Sequence, residues 1–200
     1  MKLYFAKASP FARKVRVLVA EKSIAGIEEL EISPWARPAE LVGANPLSQV
    51  PTLVTDAGES LYDSLVICEY LDQFGSGPRM LPLDGAVRWQ VLRRHALATG
   101  LAESVLHIAV ENLRREPQFR STAAIEGWCA SINRAADALE GEVGGWGDTP
   151  TVAHIALGTS LGYCDYRAAQ HIDWRAGRPA LTAWYQAFEH RPSMQATRPV

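Results

Sequence analysis

Cysteine is scarce in this chain: Cys68, Cys129 and Cys164 are the only thiols in 200 residues. Odd in number, far apart and set among apolar neighbours, they exclude a disulfide framework. They read instead as buried free thiols in a reducing compartment, the cytoplasm. The five histidines show no His-Glu-x-x-His spacing and no Cys-x-x-Cys pair accompanies them, so no metal site can be argued. An excess of one sign of charge is missing too. The net charge of −2 gives no electrostatic reason to expect nucleic acid or an anionic membrane as partner. No apolar run approaches the roughly 18 residues of a membrane span. The start, Met1-Lys2-Leu3-Tyr4-Phe5-Ala6-Lys7, reads as a short strand broken by Lys7 rather than a secretion signal. Internal repeats, low-complexity tracts and charge blocks are absent as well.

What is present has globular proportions, 48% hydrophobic and 21% charged, with length for one large domain or two small ones. Strand and helix alternate at first. Residues 3–6 read as a strand, and residues 11–21 as a helix with Val15, Leu18 and Val19 on one face and Pro10 in the first turn. Residues 30–32 read as a second strand and residues 37–42 as a short helical or irregular piece between prolines. A hairpin follows, residues 52–54 and a short strand running to Asp63-Ser64 around the turn Asp56-Ala57-Gly58-Glu59, and then a helix at 65–74. Beyond a Gly/Pro-rich stretch the pattern is helical throughout, at 87–98, 101–115, 125–139, 152–169 and 181–190. The expected fold is an α/β, thioredoxin-like N-terminal domain (residues 1–75), a linker (76–84) and an all-α C-terminal domain (85–200).

The most informative segment is residues 45–64, Asn-Pro-Leu-Ser-Gln-Val-Pro-Thr-Leu-Val-Thr-Asp-Ala-Gly-Glu-Ser-Leu-Tyr-Asp-Ser. A proline leading into a strand cannot donate to the sheet ladder, so Pro51 belongs at an edge or a special turn. A cis Val50-Pro51 bond would turn the Val50 N–H and C=O outward, toward a ligand's own peptide groups. Ser64, read as the cap of the next helix, leaves N–H groups facing outward at the positive end of the dipole, an anion site. A peptide-pairing edge beside a carboxylate-binding helix start suits a small acidic peptide.

Together with Ser9-Pro10-Phe11-Ala12-Arg13-Lys14-Val15-Arg16 after the first strand, this segment resembles the glutathione site of the glutathione S-transferase family, in its cytosolic-type, serine-containing bacterial subgroup. Ser-Pro, Val-Pro and Asp-Ser stand in the family's order and spacing. The resemblance covers most of the chain and is densest in residues 1–75. It implies a detoxifying glutathione transferase that conjugates the glutathione thiolate to a small hydrophobic electrophile, works as a homodimer and uses no metal. Ser9 resembles the activating residue and would be catalytic, with Ala8 or the Phe11 backbone as the alternative. Val50 matches the position whose main chain pairs with the cysteinyl part, and Pro51 matches the cis-proline. Ser64 matches the residue that binds the γ-glutamyl carboxylate, Asp63 the acidic residue beside it, and Gln49 would reach the glycyl carboxylate. Val105, Leu106 and Asn112 are electrophile-pocket candidates by position. Arg13, Lys14 and Arg16 read as a solvated or ion-paired basic face, with Arg13 tying the two domains together.

Glutathione chemistry needs the thiolate, and an ordinary thiol has a pKa of about 8.5, each unit of depression being worth about 1.36 kcal/mol. A hydroxyl aimed at the sulfur, backed by a helix start, supplies such a term by donating to the anion without giving up its proton. Each residue also has a purely structural reading: Ser9 as a plain cap, Asp63 as a turn carboxylate, Gln49 as a solvated side chain. Two other functions stay open, a glutathione-fold ligand-binding protein with little turnover and a glutathione-dependent isomerase. The isomerase reading lacks a Ser-x-Cys-Ser loop, and a reductase would need a cysteine before Cys68. In the second half, Thr151-Val152-Ala153-His154 resembles the family's capping box with His154 in place of the acid. On that reading His154→Asp would raise stability by about 0.5–2 kcal/mol.

Overall fold

Lys2–Phe5 forms β1 in the computed structural model, which describes residues 1–199. Glu28–Glu31 forms β2 alongside it, parallel and in register from Lys2 opposite Glu28 to Phe5 opposite Glu31. That pairing starts the strand two residues before the expected position, because a partner's hydrogen bonds outweigh local composition. β2 is an edge, and two of its three acidic side chains are matched to cations, Glu29 to Arg16 and Glu31 to Lys7. Charges there blunt an edge that would otherwise recruit another strand. Thr52–Val54 is β3, antiparallel to β1, and Ser60–Leu61 is β4, giving the order β2-β1-β3-β4. The turn between β3 and β4 is closed by Gly58, whose φ of 82° suits a residue without a Cβ.

Helix α1, Pro10–Glu21, starts as expected, with Pro10 in its first turn and Ala12, Val15 and Leu18 buried. A short helix α2, Ala39–Ala44, buries Leu41, and α3, Ser64–Leu71, lies against α1 and buries Ile67, Cys68 and Leu71. The Gly/Pro-rich stretch after α3 is anchored rather than loose. Lys22 Nζ lies 3.0 Å from Asp72, both side chains are buried, and Asp72 also accepts from the N–H groups of Met80 and Leu81. Gly75 turns beneath them at φ 74°, where a Cβ would stand 2.2 Å from the Lys22 carbonyl oxygen.

The chain divides into two compact units, Met1–Arg88 with the residues from Pro192 on, and Trp89–Arg191. The C-terminal helix, Pro192–Ala196, therefore belongs with the sheet domain and not with the helical one as the sequence pattern implies. The reason is Arg13. Its guanidinium, buried in α1, donates to the Met194 carbonyl at 2.9 Å and to Thr197 Oγ1 at 3.4 Å. Arg13 is thus a strap inside the first unit. Lys14 is buried as well, so the expected solvated basic face is reduced to Arg16.

In the second unit the two expected helices at 87–98 and 101–115 are one, α4, Gly85–Arg114, whose first turn lies in the first unit. Gly100 sits in its interior; a helical glycine costs about 1 kcal/mol, which packing overrides. α5, Thr122–Glu140, is capped by Ser121, and α7, Pro179–Glu189, begins on a proline. Between them in sequence, α6, Val152–Arg167, is buried along almost its whole length, as expected of a central helix.

Candidate functional site

Ser9 stands between β1 and α1, where its Oγ accepts the Ala12 N–H at 3.2 Å and caps the helix. The capping role is real, and it leaves the hydroxyl hydrogen without an acceptor among the described residues. The Phe11 N–H, next along, is one of the helix's first donors and has no partner there either. Two donors thus face the same helix start, the arrangement that favours an anion.

The Val50-Pro51 peptide is cis. β3 begins only at Thr52, so the N–H and C=O of Val50 lie beyond the sheet ladder, and among the described residues neither is hydrogen-bonded. A main-chain donor and acceptor on one residue can pair with an extended peptide. The loop leading there is fixed by Asn45, whose amide donates to the Gln49 carbonyl and to Thr52 Oγ1 at 3.2 and 3.0 Å. Thr52 Oγ1 itself donates to that carbonyl at 2.8 Å. Gln49 therefore holds the loop through its backbone, and its side chain is exposed.

At α3 the expectation needs a correction. Asp63, not Ser64, is the cap: its Oδ1 accepts from Leu65 N–H at 3.0 Å and Val66 N–H at 3.4 Å. Ser64 is the first helical residue, and its N–H finds no acceptor among the described residues. Adjacent Asp and Ser are both good caps, and the extended backbone falls at Asp63. Ser64 is only 3% exposed, so a ligand meets a narrow face of it, and its Oγ accepts from Lys14 Nζ at 3.1 Å. The sequence reading missed Lys14. Its signal was positional: Pro10 and Leu18, four residues to either side on the helix, are both apolar and both buried.

The second unit's candidates fare differently. Val105 has no exposed surface and is core, which corrects its assignment to a pocket wall. Leu106 is half-buried, while the Asn112 side-chain nitrogen lies 2.8 Å from His171 Nε2 and the Asn112 main-chain carbonyl accepts from Arg120. His154 completes a capping box, its Nδ1 accepting the Thr151 N–H at 3.2 Å. Its Nε2 then carries the hydrogen and donates to the Gly147 carbonyl at 3.3 Å. Among the described residues no group of His, Cys, Asp and Glu is arranged to hold a metal, and no helix is long and apolar enough to cross a membrane. Burial pushes the Cys68 thiol up to about 12, with Lys14 opposing and Asp63 and Asp72 adding. The first unit's one cysteine is therefore protonated near neutral pH.

Two family models match the chain, glutathione S-transferase N-terminal domain over residues 8–73 and C-terminal domain over residues 122–187. Over 202 aligned residues it is 34% identical to the Escherichia coli K12 protein described as "Uncharacterized GST-like protein YibF", covering all of this chain and 98% of that one. The chain belongs to the glutathione S-transferase family. Among solved structures, a glutathione transferase family member from Pseudomonas fluorescens Pf-5 with bound glutathione is 36% identical, with a TM-score of 0.90 over 100% of this chain and 98% of that one. A structure of a Pf-5 family member with bound S-(propanoic acid)-glutathione is 35% identical, with a TM-score of 0.89 and full coverage of both chains. A glutathione S-transferase from Methylobacillus flagellatus KT with glutathione bound is 34% identical at a TM-score of 0.90, covering 100% and 99%. In this member of the family the small mixed sheet with its helices is the thioredoxin-like N-terminal domain, and the helical part is the C-terminal domain of the family fold.

Proposed function

We propose that this protein is a cytoplasmic glutathione transferase that joins the glutathione sulfur to a small hydrophobic electrophile. The main chain of Val50 carries the reading: a donor and an acceptor without partners among the described residues, beside a cis proline, in a family whose full-length relatives hold glutathione. The tripeptide's cysteinyl part pairs with Val50. Its γ-glutamyl carboxylate meets Ser64 at the start of α3, near Asp63, and the Gln49 side chain reaches the glycyl carboxylate. Ser9 donates its hydroxyl hydrogen to the sulfur, assisted by the Phe11 N–H, and so lowers the thiol pKa.

In the reaction the thiolate's electron pair forms a carbon–sulfur bond, and the electrophile either expels a leaving group or takes a proton at the neighbouring atom. Leu106 and Asn112 remain the proposed electrophile contacts, and exposed Tyr62, Val66, Val87 and Trp89 support a homodimer. Thiolate absorbance titrated in the complex, followed by turnover with a chloronitrobenzene, tests the reading. Ser9→Ala should still bind glutathione, while the bound thiol pKa rises by about one unit and turnover falls about tenfold. A second reading is favoured by the cap that Ser9 makes to Ala12, which alone accounts for a serine there. It holds that the protein binds glutathione without activating it, and a bound thiol with an unshifted pKa would establish it.

A further inference from the structure

A polar contact between α1 and α3 lies at the candidate site, Lys14 Nζ to Ser64 Oγ at 3.1 Å. Lys14 is 2% exposed, between buried Pro10 and Leu18 on its own helix face, and its ammonium lies 5.9 Å from the centre of the Phe11 ring. A serine hydroxyl offers one hydrogen and two acceptor positions, whereas an ammonium offers hydrogens only. With Lys14 donating, one of the two acceptor positions of the Ser64 oxygen is taken on the inner side, and its hydrogen has to point elsewhere. Among the described residues nothing accepts that hydrogen, nor the Ser64 N–H beside it.

We propose that Lys14 is a positioning residue that turns the Ser64 hydroxyl hydrogen toward the γ-glutamyl carboxylate and strengthens it as a donor. The inference rests on the glutathione reading and deepens it. A carboxylate on Ser64 would accept two hydrogens, from the hydroxyl and from the N–H, at the positive end of α3. The buried cation stands one hydrogen bond behind them, where water screens it little. The ligand never touches Lys14. Its effect is therefore confined to anions at this subsite and is absent for a ligand without a carboxylate there.

Calorimetric titration with glutathione, and with 4-aminobutyryl-cysteinyl-glycine, which lacks only that carboxylate, tests this. Lys14→Met should weaken glutathione about tenfold to a hundredfold and leave the analogue's affinity within about twofold. Lys14→Arg, which keeps a donating cation, should restore most of the glutathione affinity. Lys14→Gln keeps a donor without the charge and should give a smaller loss, again for glutathione alone; it serves if Lys14→Met does not fold. Equal losses for both ligands, or none for either, would overturn the proposal by reducing Lys14 to support of the fold. Wild-type protein indifferent to millimolar glutathione would instead remove the glutathione reading itself, and this inference with it.

Discussion

His154→Asp gives the sharpest test of the packing, because the sequence and the structure assign it opposite signs. From the motif alone an acid restores the capping box and adds a favourable charge at a helix start, worth about 0.3–1 kcal/mol. The structure sets more against that. Asp could still accept the Thr151 N–H, but the Nε2 bond to the Gly147 carbonyl is lost, about 1 kcal/mol. The imidazole also fills a site walled by Trp146, edge-on at 5.0 Å, and by Trp184 and Phe188 at 6.0 and 6.3 Å. Removing the ring forfeits about 0.5–1.5 kcal/mol of aromatic contact, and it leaves a carboxylate desolvated among those faces. The net expectation is a loss of about 1–3 kcal/mol, or about 2–12 °C in Tm for a chain of this size, read by calorimetry near neutral pH. An unchanged or raised Tm would refute the reasoning. A second readout follows from burial, which holds the His154 pKa below its ordinary value, with Arg94 and Arg191 adding and the Gly147 bond opposing. As pH falls, the unfolded chain takes up the proton first. The stability His154 contributes is fully present above about pH 6.5 and is lost as pH falls through the lower folded value. The wild type should therefore lose Tm faster than the variant between about pH 6.5 and 5.

Gly75→Ala should cost upwards of about 1–3 kcal/mol in urea unfolding, since it combines a positive φ with a Cβ driven into the Lys22 carbonyl; an effect below half of that would mean the turn yields easily. Asp72→Ala strands the buried Lys22 ammonium and the N–H groups of Met80 and Leu81, and about 3–5 kcal/mol should disappear by the same assay. Thiol titration with an aromatic disulfide near pH 8 should find Cys68 and Cys164 silent in the native protein, both being pushed up to about 12 chiefly by burial. Cys129 is raised too, by burial and then Glu126, and should react slowly; all three should react after denaturation. Rapid native reaction of Cys68 would show that α3 opens away from α1.

Local chemistry was legible wherever one residue type permits little else. Pro51 before β3, Ser9-Pro10 at the start of α1 and Gly58 in the hairpin could be read directly, and each is where it was expected. Long-range pairing was not. β2 takes its ends from β1, and the Pro192–Ala196 helix takes its place from Arg13, contacts separated by many residues in sequence. Between Asp63 and Ser64 propensity does not choose, because both cap well; the backbone bend chooses. Charge misled at Lys14, where a basic run implies water and the neighbours four residues away imply core. At Gly100 the breaker signal was real and small, and thirty residues of continuous helix outweighed it.

Ser9 and Ser64 are treated alike by the fold, though they lie on different helices. Each oxygen accepts from a protein donor, one from the Ala12 N–H and the other from the Lys14 ammonium, and neither hydroxyl hydrogen has an acceptor among the described residues. A free serine hydroxyl can meet a ligand as donor or acceptor, and so discriminates weakly. With one of its two acceptor positions held by a fixed protein donor, it is biased toward donating. Beside each stands a helix N–H that is also a donor, at Phe11 and at Ser64. Both subsites are thus built to reward negative charge and to leave a neutral acceptor-poor group unsatisfied. A thiolate and a carboxylate, held a few residues' length apart on one small peptide, are what the proposed pair of donors would select. On the proposed reading a neutral thiol would gain less from Ser9 than a thiolate, so the same contact that orients the sulfur would also favour its ionisation.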